Sequence, residues 1–398
     1  MSSPSLEQTL NKEQSWALLA LGFRPFFLAA GLFSIVAIAL WALMYASKLQ
    51  LPLHAISPSQ WHAHEMIYGY STAVIAGFLL TAVKNWTNQQ TTQGPWLLCL
   101  ILIWLAARVL LALGETLLAG GFDLLFLLCL NIALARPIIK VRQWRELAVL
   151  SKVLFLMLGN ALFYLGALGY VTSGVRWAIE GGLYLIVGLV LMIGRRVVPL
   201  FIEWGLGEDK QLFNSKWLDF SSLFLFLLFF IAELASPGTA VSAWSALLLS
   251  IINGVRLIAW YRRRIWQKPL LWSLYLALWW IVLGFLIFPA SIWLGVSKFI
   301  ALHTLAYGGI GLITLSMMSR VALGHTGRDT HQPPRGMTYA FIALLLGATA
   351  RVLLPLVLPQ YYLWWVSVSQ LLWLFAFAVF SFYYGPILSR ARVDGQPG

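Results

Sequence analysis

Apolar stretches of about 18 to 22 residues recur along the chain, each enough for a helix to cross about 30 Å of hydrocarbon, with short polar connections between them. They lie near Phe26 to Ala46, Met66 to Val83, Trp96 to Leu113, Leu117 to Ala135, Leu150 to Val171 and Gly181 to Leu200. A second set follows near Trp217 to Leu234, Ala243 to Trp260, Leu270 to Phe288, Ser297 to Ser319, Thr338 to Leu358 and Tyr362 to Tyr384. A helix satisfies its backbone groups internally, which hydrocarbon demands. The pattern therefore predicts an all-α integral membrane protein, a polytopic bundle of about twelve transmembrane helices. The third and fourth spans are separated only by Gly114-Glu115-Thr116, and losing either would invert everything after them.

Lysine and arginine are retained on the cytoplasmic side of short loops. Connections after even-numbered spans carry seventeen of them, including Arg136, Arg195, Arg196, Lys210, Arg262, Arg320 and Arg328, whereas those after odd-numbered spans carry three, Lys48, Arg176 and Lys298. Both termini are therefore expected in the cytoplasm. One membrane domain is expected over residues 22–385, with cytoplasmic tails at 1–21 and 386–398. No removable signal peptide is read in the polar opening, and no repeat of six spans against six is evident.

Composition agrees. The 398 residues are 60% hydrophobic and 10% charged, with a mean hydropathy of +0.81, against roughly 25% charged in a soluble domain. The net charge of +13 resides mainly in loops expected to face the cytoplasm, where it sets topology and meets anionic lipid headgroups; no nucleic-acid partner is implied. Cys99 and Cys129 lie inside spans, and no Cys-x-x-Cys-His is present to attach a haem covalently. No phosphate-binding Gly-x-x-x-x-Gly-Lys-Ser/Thr loop occurs, which argues against nucleotide hydrolysis.

Six histidines limit the chemistry: His54, His62, His64, His303, His325 and His331. Imidazole suits iron and copper, and polar groups inside a membrane are functional candidates by default. Ser57-Pro58-Ser59-Gln60 reads as a capping box with proline at the first helical position, so the second span should be helical from about Pro58. His62 and His64 then lie in its second turn, about 200° apart around a regular helix. His62 shares its face with Glu65, Met66 and Gly69, and His64 with Tyr68 and Ser71. His62, backed by Glu65, is the expected buried ligand. The competing reading makes both histidines interfacial, bonded to water and headgroups.

His303 lies about six residues, roughly 9 Å of rise, into the tenth span, at a depth similar to His62. Tyr307 follows at i+4, and Gly308, Gly309 and Gly311 thin the helix on one side. His303 is the expected partner of His62; a hydrogen bond to a serine or carbonyl is the plainer alternative. His325 falls 22 positions later, about 33 Å along a continuous helix, at the cytoplasmic end. There, with Arg195 and Arg196, it suggests an anion or haem-propionate clamp, or simply a positive-inside loop. Arg108 with Glu115 or Asp123, and Arg256 with Glu233, are expected ion pairs. The same residue types would also serve a secondary transporter of an anion or metal.

Several of these motifs fall together, in order. Gly22-Phe23-Arg24-Pro25-Phe26-Phe27, Trp61-His62-Ala63-His64-Glu65-Met66, Gly77-Phe78-Leu79-Leu80-Thr81-Ala82 with Asn85-Trp86-Thr87, Gly194-Arg195-Arg196-Val197-Val198-Pro199, and His303 through Leu323-Gly324-His325-Thr326-Gly327-Arg328 closely resemble the NnrS family of bacterial haem- and copper-containing membrane proteins. The resemblance runs from about Leu21 to Tyr384. It implies twelve helices in the bacterial inner membrane, non-covalent haem b and copper, and a role in nitric-oxide metabolism or protection from nitrosative stress. The metal ligands would come from His62, His64, His303 and His325, with Glu65, Tyr307, Arg195, Arg196 and Arg328 as accessory groups. Too few histidines lie at suitable depth for the two haems and copper of a proton-pumping oxidase.

Overall fold

A computed structural model describes residues 17–207 and 211–396. The tail up to residue 16, Lys210 and residues 397–398 lie outside that set. Twelve described helices are long and apolar enough to cross a membrane. They are α1 (Phe23–Tyr45), α2 (Pro58–Thr87), α3 (Pro95–Ala112), α4 (Thr116–Lys140), α5 (Leu147–Ala167) and α6 (Gly174–Leu206). The rest are α7 (Lys216–Ala235), α8 (Ala240–Trp260), α9 (Pro269–Trp293), α10 (Lys298–His325), α11 (Gly336–Val352) and α12 (Tyr362–Ser389). Each expected span falls on one of them.

Local sequence explains the boundaries. Ser57 accepts from the Gln60 amide at 3.3 Å while its own amide donates to Gln60 Oε1 at 2.8 Å, the capping box foreseen from the sequence, so α2 begins at Pro58. The short α3–α4 connection is real because Gly114 turns the chain at φ +85°, where a Cβ would overlap the Pro52 carbonyl; glycine pays no such penalty.

The chain gathers into two compact units, residues 17–182, 318–330 and 377–396, and residues 183–317 and 331–376. In the first, α2 is buried over 89% of its most apolar window, whereas α3 and α5 are buried over 33% of theirs. α2 is therefore the central helix, and its neighbours turn leucines such as Leu102, Leu105, Leu154 and Leu158 outward. Small residues let α1 and α2 approach: a Cβ on Gly77 would stand 2.8 Å from the Phe27 ring, the close packing expected between membrane helices. In the second unit α10, 78% buried over its window, has the central role. Its Gly308 meets the Trp280 ring of α9, and its Gly311 meets Trp373 of α12.

Both central helices widen at one place. α2 carries a π-helical segment at Glu65–Ser71, and α10 carries one at Thr304–Gly311. Such bulges are uncommon and frequent at functional sites. Neighbouring donors support the widened backbone. Ser71 Oγ reaches the Met66 carbonyl at 2.7 Å, five residues back, and Trp104 Nε1 donates to the Gly69 carbonyl at 3.0 Å.

Candidate functional site

The π segment of α2 begins one residue after His64 and resets its faces. His64 and Glu65 are fully buried, while His62 is half-buried. The imidazole found inside is therefore His64, not the expected His62, because the inference from 100° per residue fails once the helix widens. His62 instead lies flat on Trp41, ring centroids 4.6 Å apart and planes 7° from parallel.

Around His64 the first unit assembles a closed polar cluster. Nδ1 contacts Glu65 Oε1 at 3.1 Å, and Nε2 contacts Asn160 Oδ1 of α5 at 2.9 Å, with Asp123 Oδ2 at 3.6 Å. Arg108 of α3 donates to Glu65 at 2.7 Å and pairs with Asp123. The Tyr164 hydroxyl donates to Asp123 at 2.6 Å. Phe163 covers the imidazole at a centroid distance of 4.1 Å. Every charged member is buried, so mutual pairing must offset a desolvation cost of several kcal/mol per ion. Both ring nitrogens of His64 are in contact with side chains of the cluster, Glu65 and Asn160. Among the described residues, no group of three or more His, Cys, Asp or Glu is gathered to hold a metal ion.

His303 differs. It ends the first α-helical part of α10, is half-buried, and its Nδ1 lies 2.7 Å from the Phe299 carbonyl. A carbonyl only accepts, so Nδ1 carries the hydrogen and Nε2 is the lone-pair nitrogen, the arrangement that orients metal-binding histidines. Arg351 of α11 reaches Nε2 at 3.3 Å and lies over the Tyr362 ring at 5.5 Å. Tyr307 does not join His303 through its hydroxyl. That group donates to the Ser369 carbonyl at 2.7 Å, and the ring packs edge-on to Trp373 at 4.9 Å. Its space exists because α11 has Gly347 there, where a Cβ would overlap the hydroxyl.

The remaining residues foreseen from the sequence fall in separate settings. His325 packs against Phe23 at 5.6 Å in the first unit, and its carbonyl accepts from Arg392 at 3.0 Å. Hydrogen bonding to Arg392 holds the Asp394 carboxyl down at about 2. Arg328 donates weakly to the Thr326 carbonyl at 3.4 Å. In the second unit Arg195 pairs with Asp219 at 2.5 Å, and Arg256 pairs with the same carboxylate at 2.9 Å. Arg256 therefore does not pair with Glu233, which takes Lys298 at 2.7 Å. α7 and α8 form a hairpin, so the start of α7, where Asp219 stands, meets the end of α8. Arg196 lies on the same helix as Arg195.

Sequence reasoning missed Asn160, Tyr164 and Arg351 as partners of the histidines, and the role of Arg24. Fully buried, Arg24 donates to the Leu388 carbonyl at 3.1 Å and to the Arg390 carbonyl at 2.5 Å. It thereby satisfies the C-terminal end of α12 with a cation, the favourable sign for that end of a helix dipole.

A family model described as NnrS protein matches residues 17–392. No curated protein matches the chain at a significant level.

Proposed function

Because the chain belongs to the NnrS family, we propose that this multi-pass membrane protein binds haem and copper in the bacterial inner membrane and acts in nitric-oxide metabolism or nitrosative-stress protection. The observation that carries the haem reading is His303. Its Nδ1 is tied to a carbonyl, its Nε2 is the acceptor nitrogen, met by Arg351 at 3.3 Å in a contact that an iron would replace, and it opens a π segment in the central helix of its unit. These features fit a residue that would hold a haem iron, and that iron would supply binding of a diatomic gas.

The chain's own part is orientation and charge. Phe299 fixes the His303 tautomer, and Arg351 supplies positive charge beside it. For copper, no donor set of three is gathered among the described residues, and no step is assigned to it. His64 fits a structural role better than a metal-binding one, since it is fully buried and held inside the charged cluster of Glu65, Asp123 and Arg108. The transporter reading has less support, as α2 and α10 run through their π segments without the unwound break that midplane transport sites use.

Purified full-length protein, expressed with haem supplied, is expected to show Soret absorption that shifts with nitric oxide and is lost in His303→Ala. A colourless preparation from haem-replete cells, or an unchanged Soret band in that variant, would overturn the assignment.

A further inference from the structure

The two π segments mark an internal correspondence that sequence comparison at six spans misses. His64-Glu65-Met66-Ile67-Tyr68-Gly69 of α2 matches His303-Thr304-Leu305-Ala306-Tyr307-Gly308 of α10, and in both the π turn begins directly after the histidine. One helix later, Ala107-Arg108-Val109-Leu110-Leu111 of α3 matches Ala350-Arg351-Val352-Leu353-Leu354 at the end of α11. One further helix on, Asp123-Leu124-Leu125-Phe126-Leu127 of α4 matches Gln370-Leu371-Leu372-Trp373-Leu374 of α12. The offset is eight helices.

Contacts repeat with the sequence. Arg108 reaches the Glu65 carboxylate beside His64, and Arg351 reaches His303 itself. Gly69 packs on an aromatic ring of the preceding helix, Phe33, and Gly308 does so on Trp280. Both tyrosines donate to a backbone carbonyl at 2.7 Å.

The two copies differ in charge. In the first unit Arg108 is held by two carboxylates, Glu65 and Asp123. Their counterparts in the second unit are Thr304 and Gln370, both neutral. The Thr304 hydroxyl is turned back to the Ile300 carbonyl at 2.7 Å. Gln370 is 9% exposed, and its Nε2 has no hydrogen-bond acceptor, a state that costs about 1–3 kcal/mol for a buried donor. Arg351 has no carboxylate partner among the described residues.

We propose that Arg351, beside His303, and Gln370, placed by its correspondence with Asp123, form a receptor for a small planar oxyanion of the carboxylate class, which supplies from outside the negative charge that Glu65 and Asp123 supply within the first unit. A guanidinium binds such groups through two parallel hydrogen bonds. The anion is either a free solute, with nitrite and formate as the simplest members, or a carboxylate arm of a bound porphyrin. The site does not require His303 to carry a metal.

The test is calorimetric titration of the purified full-length protein with sodium formate and sodium nitrite at low ionic strength, with haem content measured for each variant. The variants are Arg351→Gln, Arg351→Lys and Gln370→Asp, the last restoring the internal carboxylate. Formate or nitrite binding that falls at least tenfold in Arg351→Gln and Gln370→Asp, is partly kept in Arg351→Lys, and leaves haem content unchanged supports a free anion. Absent anion binding with haem content lowered in Arg351→Gln and Gln370→Asp but not in Arg351→Lys supports the porphyrin arm. Anion binding that survives Arg351→Gln, or neither quantity differing between parent and variants, overturns the proposal. A colourless parent that still binds formate through Arg351 would remove the haem reading and leave this one standing.

Discussion

Replacing Arg108 by leucine is the most direct test of the buried cluster around His64. The guanidinium is 3% exposed and is shared between Glu65 and Asp123, themselves fully buried. Solvent screening therefore reduces the effect little. Removing the cation leaves two carboxylates adjacent to one another in a region without water, and breaking a buried pair in this way costs about 3–5 kcal/mol. At about 2–4 °C per kcal/mol for a domain of 150–250 residues, this predicts a fall in apparent melting temperature on the order of 10 °C. Intrinsic tryptophan fluorescence of the detergent-solubilised protein, followed at one fixed scan rate, provides the measurement. The triple variant Arg108→Leu, Glu65→Gln, Asp123→Asn removes all three charges while keeping their volume nearly constant, and should recover most of the loss, since a buried ion pair is worth little against neutral groups of the same shape. A single variant melting within 2 °C of the parent, or a triple variant no better than the single, would refute the account of a charge-balanced structural cluster.

Two further outcomes follow from the geometry. Gly347→Ala places a methyl group on the Tyr307 hydroxyl, so the bond to the Ser369 carbonyl should be lost with about 1–3 kcal/mol of overpacking strain; Tyr307→Phe, which loses the bond alone at about 1 kcal/mol, should partly relieve it, and additive destabilisation in the double variant would argue against the contact. The Arg392 clamp on the His325 carbonyl has a pH signature. Asp394 titrates at about 2, below its ordinary 3.8, so the clamp is fully present above pH 3.8 and is lost as pH falls through about 2. Amide exchange over residues 391–396, corrected for intrinsic rates, should show constant protection from pH 7 to 4, and a loss between pH 6 and 4 would contradict it.

Much of the fold was legible because it depends on one strong signal. Runs of apolar residues long enough to cross a bilayer located all twelve helices, and the capping box placed the start of α2 at Pro58. The pairing of Arg108 with Asp123 was also accessible, since two costly charges on consecutive helices have few other partners. What failed depended on helix phase and on antiparallel register. The π turn at Glu65 inverts which of His62 and His64 faces inward, and nothing in the local composition signals the extra residue in that turn. The choice of Glu233 for Arg256 ignored the hairpin rule that the start of one helix meets the end of the next. The eight-helix correspondence was invisible because its identities are confined to five- and six-residue stretches separated by unequal loops.

The hold of Arg24 on the last carbonyls of α12 also bears on biosynthesis. Arg24 enters the membrane with α1, yet the carbonyls that satisfy it lie 364 and 366 residues downstream and are synthesised much later. Until α12 is made, α1 carries a cation without the groups that receive it. A product truncated before Leu388 keeps that defect permanently, which gives the quality-control proteases of the membrane a local mark by which to tell an incomplete chain from a complete one.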